Sequence, residues 1–312
     1  MMNAVIQVKN LTKDFKEVKA VNDLSFTVEA GQVYGFLGQN GAGKSTTIRM
    51  LLTLIKPTSG EIEIFGLNLL KHRKEILRQV GAIIERPDLY KYLTALENLR
   101  IFAAMSGVKV SEKKLMDQLE MVGLAARAHS KVKTYSQGMK QRLGIATALV
   151  HDPRLIILDE PTNGLDPQGI ADIRNLILQL SKERNKTLLI SSHLLSEVEL
   201  IADSMIIIDK GKKVVEGKVN ELFDPAETVV ELKTMDDTAT FEKLQQSGLQ
   251  KLVRGKRNDC ILLKLHRNEI PGVMKELMQM NIDVVSFHSK HSLEDYFLSL
   301  TTGQPHVEVI TN

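Results

Sequence analysis

Along residues 1 to 222, short β-branched apolar runs alternate with stretches of helical spacing. That alternation predicts an α/β domain on a mainly parallel sheet. Val5–Val8, Leu24–Val28, Val33–Leu37, Ile62–Phe65 and Val80–Ile84 have the length and residue types of strands. Leu155–Leu158, Thr187–Ser191 and Met205–Asp209 follow. The last meets a turn at Lys210-Gly211-Lys212 before Lys213–Glu216, which predicts a hairpin. Helical periodicity marks Thr46–Leu54, Leu96–Met105, Glu112–Val122, Gly138–Val150, Gly169–Lys182 and Leu194–Ala202.

The pattern changes at Phe223-Asp224-Pro225, where a domain boundary is expected. Strand 227–233, helix 238–246, strands 250–254 and 260–266, helix 269–280 and strand 282–287 then follow. The order β-α-β-β-α-β predicts a small α+β ferredoxin-like domain over residues 226–301, closed by an amphipathic helix at 292–301. Residues 302–312 form a polar tail.

Composition narrows the class without naming a function. With 43% hydrophobic and 25% charged residues, the 312-residue chain has the balance of a globular protein, which excludes disordered and collagen-like classes. Its longest apolar runs are strand-length, far below the ~20 residues that cross a bilayer. The opening MMNAVIQVKNL lacks the basic-then-apolar order of a secretory leader. Cys260, the single cysteine, is expected as a buried strand residue; it has no partner for an internal disulfide and no zinc-ligand spacing around it. A reducing, cytoplasmic setting is therefore expected. The 41 basic and 38 acidic residues leave a net charge of only +3, so no nucleic-acid partner is expected. The run Lys71-His72-Arg73-Lys74 reads as a solvated helix face, and Met274, Met278 and Met280 as helix core.

The strongest local signal is Gly38-Gln39-Asn40-Gly41-Ala42-Gly43-Lys44-Ser45-Thr46, a G-x-x-x-x-G-K-[ST] loop between a predicted strand and a predicted helix. Its glycines let the backbone turn so that successive N–H groups face phosphate oxygens, and the helix adds the positive end of its dipole. Lys44 can reach β- and γ-phosphates, and the Ser45 hydroxyl is placed to ligate Mg²⁺. The second element is the apolar run Leu155–Leu158, ending in Asp159 and Glu160. At a strand end, Asp159 can hold Mg²⁺ through water, and Glu160 can polarise the water that attacks the γ-phosphorus.

Between these elements lies 135-YSQGMKQRLGIATAL-149, which resembles the signature motif of the ATP-binding cassette (ABC) family. The order of the remaining motifs agrees. Asn163-Gly164-Leu165-Asp166 resembles the D-loop, His193 in 191-SSHLL-195 the switch histidine, and Phe15 the aromatic that stacks on adenine. The resemblance covers residues 1 to about 222 and implies a P-loop ATPase domain with a helical subdomain, using ATP and Mg²⁺. It further implies that Ser136, Gln137 and Gly138 bind the γ-phosphate held by a second subunit. One cradle and one signature per chain then require a second copy or a homologous cassette. A hydroxyl and N–H groups at a helix start suit such an anion.

Two positions depart from the family pattern. Glu85, at the end of 80-VGAII-84, stands where glutamine is usual, the Q-loop position. A carboxylate can contact Mg²⁺ or orient water but cannot donate a hydrogen bond as an amide does. Gln137 stands where glycine is commonest, with Met139-Lys140-Gln141 after Gly138. Glu85 followed by 86-RPDLYKYLTALENL-99 is similar to the subgroup serving bacitracin and lantibiotic-type exporters, and the C-terminal appendage to those of ABC-2 exporter ATPases. These resemblances imply a peripheral subunit on the inner face of the cell membrane, docked by residues 86–102 onto a separate transmembrane permease. The alternative is a non-transport ABC ATPase acting on ribosomes or DNA. Members of that kind usually carry two cassettes or long coiled-coil insertions, and this chain has neither.

Overall fold

The computed structural model describes residues 4–222, 227–257 and 260–290. The chain divides into two compact units, Met1–Lys218 and Val219–Asn312. The first unit opens with β1 (Ala4–Phe15), β2 (Val18–Glu29) and β3 (Val33–Leu37), followed by α1 (Lys44–Leu51). Then come β4 (Ser59–Ile64), β5 (Leu67–Asn68), α2 (Arg73–Leu77), β6 (Val80–Ile83), α3 (Ala95–Met105) and α4 (Glu112–Met121). α5 (Gln137–Leu149), β7 (Leu155–Asp159), α6 (Pro167–Lys182), β8 (Thr187–Ser192) and α7 (Leu195–Glu199) lead to the hairpin of β9 (Ser204–Asp209) and β10 (Lys212–Lys218).

These strands form two sheets, where the sequence pattern predicts a single, mainly parallel one. An antiparallel sheet runs β2-β1-β4-β5, and a larger one runs β10-β9-β3-β8-β7-β6. Burial explains the division. In β2, buried Leu24, Phe26 and Val28 alternate with more exposed neighbours, the mark of a sheet with one face on the core. In β3, β7 and β8 every residue is buried, as in a parallel sheet covered on both sides. Ile6, Leu24, Phe36, Ile48 and Ile157 share one core that joins the two sheets. Tyr34 is buried there and donates to Glu216 Oε1 at 2.7 Å. Burial, reinforced by that carboxylate, holds the Tyr34 hydroxyl well above its ordinary pKa.

Within the larger sheet, β3, β8 and β7 are adjacent and parallel, with Leu37 opposite Ser192 and Asp159 opposite Ser191. The loops that follow these strands therefore leave the sheet along one edge, the usual ligand edge of an α/β sheet. Helices α3, α4 and α5 pack on one another and supply the helical subdomain. A capping box, Thr94 with Glu97, starts α3. Predicted helix Leu194–Ala202 is shorter in the structure, because the amides of Ile201 and Ala202 both turn back to the Val198 carbonyl.

The second unit contains α8 (Val219–Leu222), β11 (Glu227–Thr234), α9 (Asp237–Gln245), β12 (Val253–Arg257), β13 (Cys260–His266), α10 (Ile270–Gln279) and β14 (Val284–Lys290). Its strands form an antiparallel sheet in the order β12-β13-β11-β14. Val230, Leu232, Leu244, Ile261, Leu263 and Leu277 make its own core. Three expectations need correction. Met278, expected in the helix core, is exposed on α10 with 67% of its surface open. Residues 250–252 of the predicted strand 250–254 lie in a 3-10 turn, started by the Ser247 hydroxyl accepting from the Leu249 amide at 3.1 Å. Cys260 is half-buried rather than buried. The boundary expected at Phe223-Asp224-Pro225, the helix expected at 292–301 and the tail expected at 302–312 lie outside the described residues.

Because each unit has its own core, a chain ending at Lys218 is expected to fold alone. It should show one cooperative melting transition and bind nucleotide with the full chain's affinity. Insoluble or non-binding protein would show that the two units depend on each other.

Candidate functional site

The loop after β3 and the first turn of α1 form a cradle at the edge where β3, β8 and β7 end. Gly43 caps α1 with φ of 107°, and a Cβ there would meet the Ala20 carbonyl oxygen at 2.5 Å, so the position admits only glycine. Gly38, Ala42 and Gly43 are buried, Gln39, Asn40 and Gly41 are exposed, and Ser45 and Thr46 are half-buried on α1. Lys44 is buried, with its ammonium 2.6 Å from the Gly38 carbonyl, 3.3 Å from that of Gln39 and 3.2 Å from Glu160 Oε1.

Glu160 also receives His193. Its Oε2 lies 2.8 Å from His193 Nδ1. One carboxylate thus links a lysine from the loop after β3 with a histidine from the segment after β8. Asp159, fully buried at the end of β7, accepts from the Ser191 hydroxyl through Oδ1 at 2.5 Å. Its Oδ2 is buried without a hydrogen-bond partner. A buried carboxylate oxygen lacking a donor is costly, and a cation or a metal-bound water would satisfy it. The structure thereby brings Lys44, Asp159, Glu160 and His193 to one edge, with Ser45 next to Lys44 on α1.

Phe15 ends β1 with 48% of its surface exposed, and the Lys13 ammonium lies 5.0 Å from its ring centroid. A ring exposed in this way offers a face for a flat base. Ser136 caps α5 and its hydroxyl accepts from the Met139 amide at 3.2 Å. Gln137 and Gly138 are the first residues of that helix. The hydroxyl's proton remains available as a donor. Asp166 caps α6, accepting from the Gly169 amide at 3.1 Å.

A family profile described as ABC transporter matches residues 21–163, and one described as AAA domain, putative AbiEii toxin, Type IV TA system, matches residues 130–199. The chain is similar to the bacitracin transport ATP-binding protein BcrA of Bacillus licheniformis, at 45% identity over 97% of this chain and 99% of that protein. It belongs to the ABC transporter family. Within that family it is an ATP-binding, ATP-hydrolysing subunit. A lantibiotic transport ATP-binding protein, SrtF of Streptococcus pyogenes, is 41% identical over 77% of this chain and 99% of that protein. A solved ATP-binding cassette described as a dimeric post-hydrolysis state bound to ADP and Pi aligns with a TM-score of 0.61. That alignment has 27% identity and covers 69% of this chain and 98% of the cassette.

Three contacts of this ABC subunit were not apparent in its sequence. Glu85 sits at a positive φ of 59° and is exposed, paired with Arg49 on α1 at 2.6 Å. Gln137 donates to the Asn163 carbonyl at 3.4 Å, and a Cβ on Gly164 would meet its Nε2 at 2.8 Å. The signature's glutamine thus reaches its own chain's D-loop, a contact that glycine could not make. Thr162, beyond Glu160, hydrogen-bonds Glu197 on α7. None of these pairs has a spacing rule in the sequence, since each depends on how separate loops meet.

The Glu85–Arg49 pair is exposed on both sides. Glu85→Gln is therefore expected to change folding free energy by less than about 1 kcal/mol in urea denaturation, and less still at high salt. A larger loss would mean that the pair holds the fold.

Proposed function

We propose that this chain is the motor subunit of an exporter, hydrolysing ATP in a dimer of cassettes and driving a separate transmembrane permease. The chain of contacts Lys44–Glu160–His193 carries this reading. Phosphate oxygens entering the cradle compete with Glu160 for the Lys44 ammonium and meet N–H groups of the glycine-rich loop and of the first turn of α1. Glu160, released from Lys44 but still beside His193, accepts a proton from the attacking water. With Nδ1–H donating to that carboxylate, His193 donates from Nε2 to a γ-phosphate oxygen as the doubly protonated imidazolium. Ser45 and the open Oδ2 of Asp159 would hold Mg²⁺. When bound, Mg²⁺ would neutralise charge on the β- and γ-phosphates. Phe15 stacks on adenine. Ser136, Gln137 and Gly138 serve the nucleotide held by the second cassette, and the dimeric form of the similar cassette supports that arrangement. Paired to Arg49, Glu85 acts in coupling to the permease rather than as a metal ligand.

The names of the relatives support a peptide antibiotic as the cargo. No described helix is long and apolar enough to cross a membrane, in keeping with a permease on another chain. Residues 86–102 offer a docking face: Tyr90 and Tyr92 are exposed, and buried Asn98 shapes the loop by accepting from the Tyr90 amide and donating to the Tyr90 and Thr94 carbonyls. The second unit is read as a ferredoxin-like accessory domain.

Lys44→Ala is expected to abolish ATP turnover. Glu160→Gln should keep ATP binding, lose roughly 10²–10⁴-fold in kcat and accumulate an ATP-dependent dimer on size-exclusion chromatography. Rapid hydrolysis by the Glu160→Gln chain would place the general base elsewhere. In cells that also carry the permease, the chain should raise bacitracin resistance and Glu160→Gln should not. Equal resistance with both chains would refute ATP-driven export of that drug.

A further inference from the structure

Ser191 touches both acidic residues at the end of β7. Its side chain is fully buried in β8, and the parallel register sets it opposite Asp159. A serine hydroxyl has one proton to give and lone pairs to accept with. Here the proton goes to Asp159 Oδ1 at 2.5 Å, while the oxygen accepts from the Glu160 amide at 2.9 Å.

Each bond has a consequence for the reaction. The first fixes the rotation of the Asp159 carboxylate, so that Oδ1 is occupied and Oδ2 is the oxygen left open. The second concerns Glu160, whose φ of 50° is left-handed, a conformation that side-chain-bearing residues adopt at a cost. Glu160 has left the strand ladder at that point, and the Ser191 oxygen accepts from its amide. The same turn sends the Glu160 carboxylate to Lys44 and His193.

We propose that Ser191 is a positioning residue for hydrolysis, its hydroxyl setting both the open oxygen of Asp159 and the turn that aims Glu160. This rests on the reading of Asp159 and Glu160 given above. Partners of this kind, which touch a metal-binding carboxylate rather than the metal, typically change metal affinity or activity 10–100-fold when removed.

The test compares Ser191→Ala, Ser191→Thr and Asp159→Asn in the full chain. Three quantities are measured: ADP affinity in EDTA, Mn²⁺ affinity by EPR titration with ADP present, and kcat and KM for ATP at saturating Mg²⁺. Ser191→Ala is expected to keep metal-free ADP affinity and KM, while losing on the order of 10-fold in both Mn²⁺ affinity and kcat. Ser191→Thr retains a hydroxyl and should restore both. The inference is overturned if Ser191→Ala matches wild type in Mn²⁺ affinity and kcat. It is equally overturned if metal-free ADP affinity falls in step with them, since the hydroxyl would then serve folding alone. Asp159→Asn separates the two layers. Wild-type Mn²⁺ affinity in that variant would remove the Asp159 reading itself, whereas its loss there but not in Ser191→Ala would remove only the role of Ser191.

Discussion

Three neighbouring parallel strands, β3, β8 and β7, must end together for any of this chemistry to work. Their register pairs Leu37 with Ser192 and Ser191 with Asp159, so the loops after them open at one edge within hydrogen-bonding reach of each other. Continuous burial maintains that register, because every residue of the three strands lies inside the core. A slip by one residue would turn each side chain to the opposite face and carry Asp159 away from Ser191. The site is thus a consequence of sheet packing, and the loops supply only its outer half.

On that edge the charges are arranged to be redistributed. Lys44 is buried and satisfied by two carbonyls and by Glu160, which is itself shared with His193. Phosphate oxygens can replace Glu160 at Lys44 while the carboxylate keeps its hydrogen bond from His193 Nδ1. This limits the penalty that a buried unpaired charge would otherwise carry. Asp159 differs: one oxygen is held by Ser191 and the other is buried without a protein donor, a set suited to a hard divalent cation.

Much of this was legible in the sequence because contiguous residues carry it. The glycine-rich loop, the strand ending in Asp159-Glu160 and the segment around His193 each announce themselves locally. The six helices predicted for the first unit begin within two residues of their predicted starts, since periodicity and capping residues such as Ser111 and Asp166 are local signals too, whereas the short α2 carries no such pattern. The division of the strands into two sheets was not legible, although the alternation in β2 against the unbroken run in β7 carries the signal in retrospect. Ser191, Arg49 and Glu197 were missed for another reason. Their partners lie 32, 36 and 35 positions away, and only the assembled loops bring them together. Glu85 shows both limits: its departure from the family pattern is visible in the sequence, and its pairing with Arg49 is not.

The most direct test of the central claim is a structure of the Glu160→Gln chain with ATP and Mg²⁺. The expected result places the γ-phosphate among Lys44, residue 160 and His193, with the metal between Ser45 and Asp159 Oδ2 and Ser136 of a second copy facing the same phosphate. A nucleotide whose phosphates lie away from Lys44, or a metal that does not approach Asp159, would contradict it.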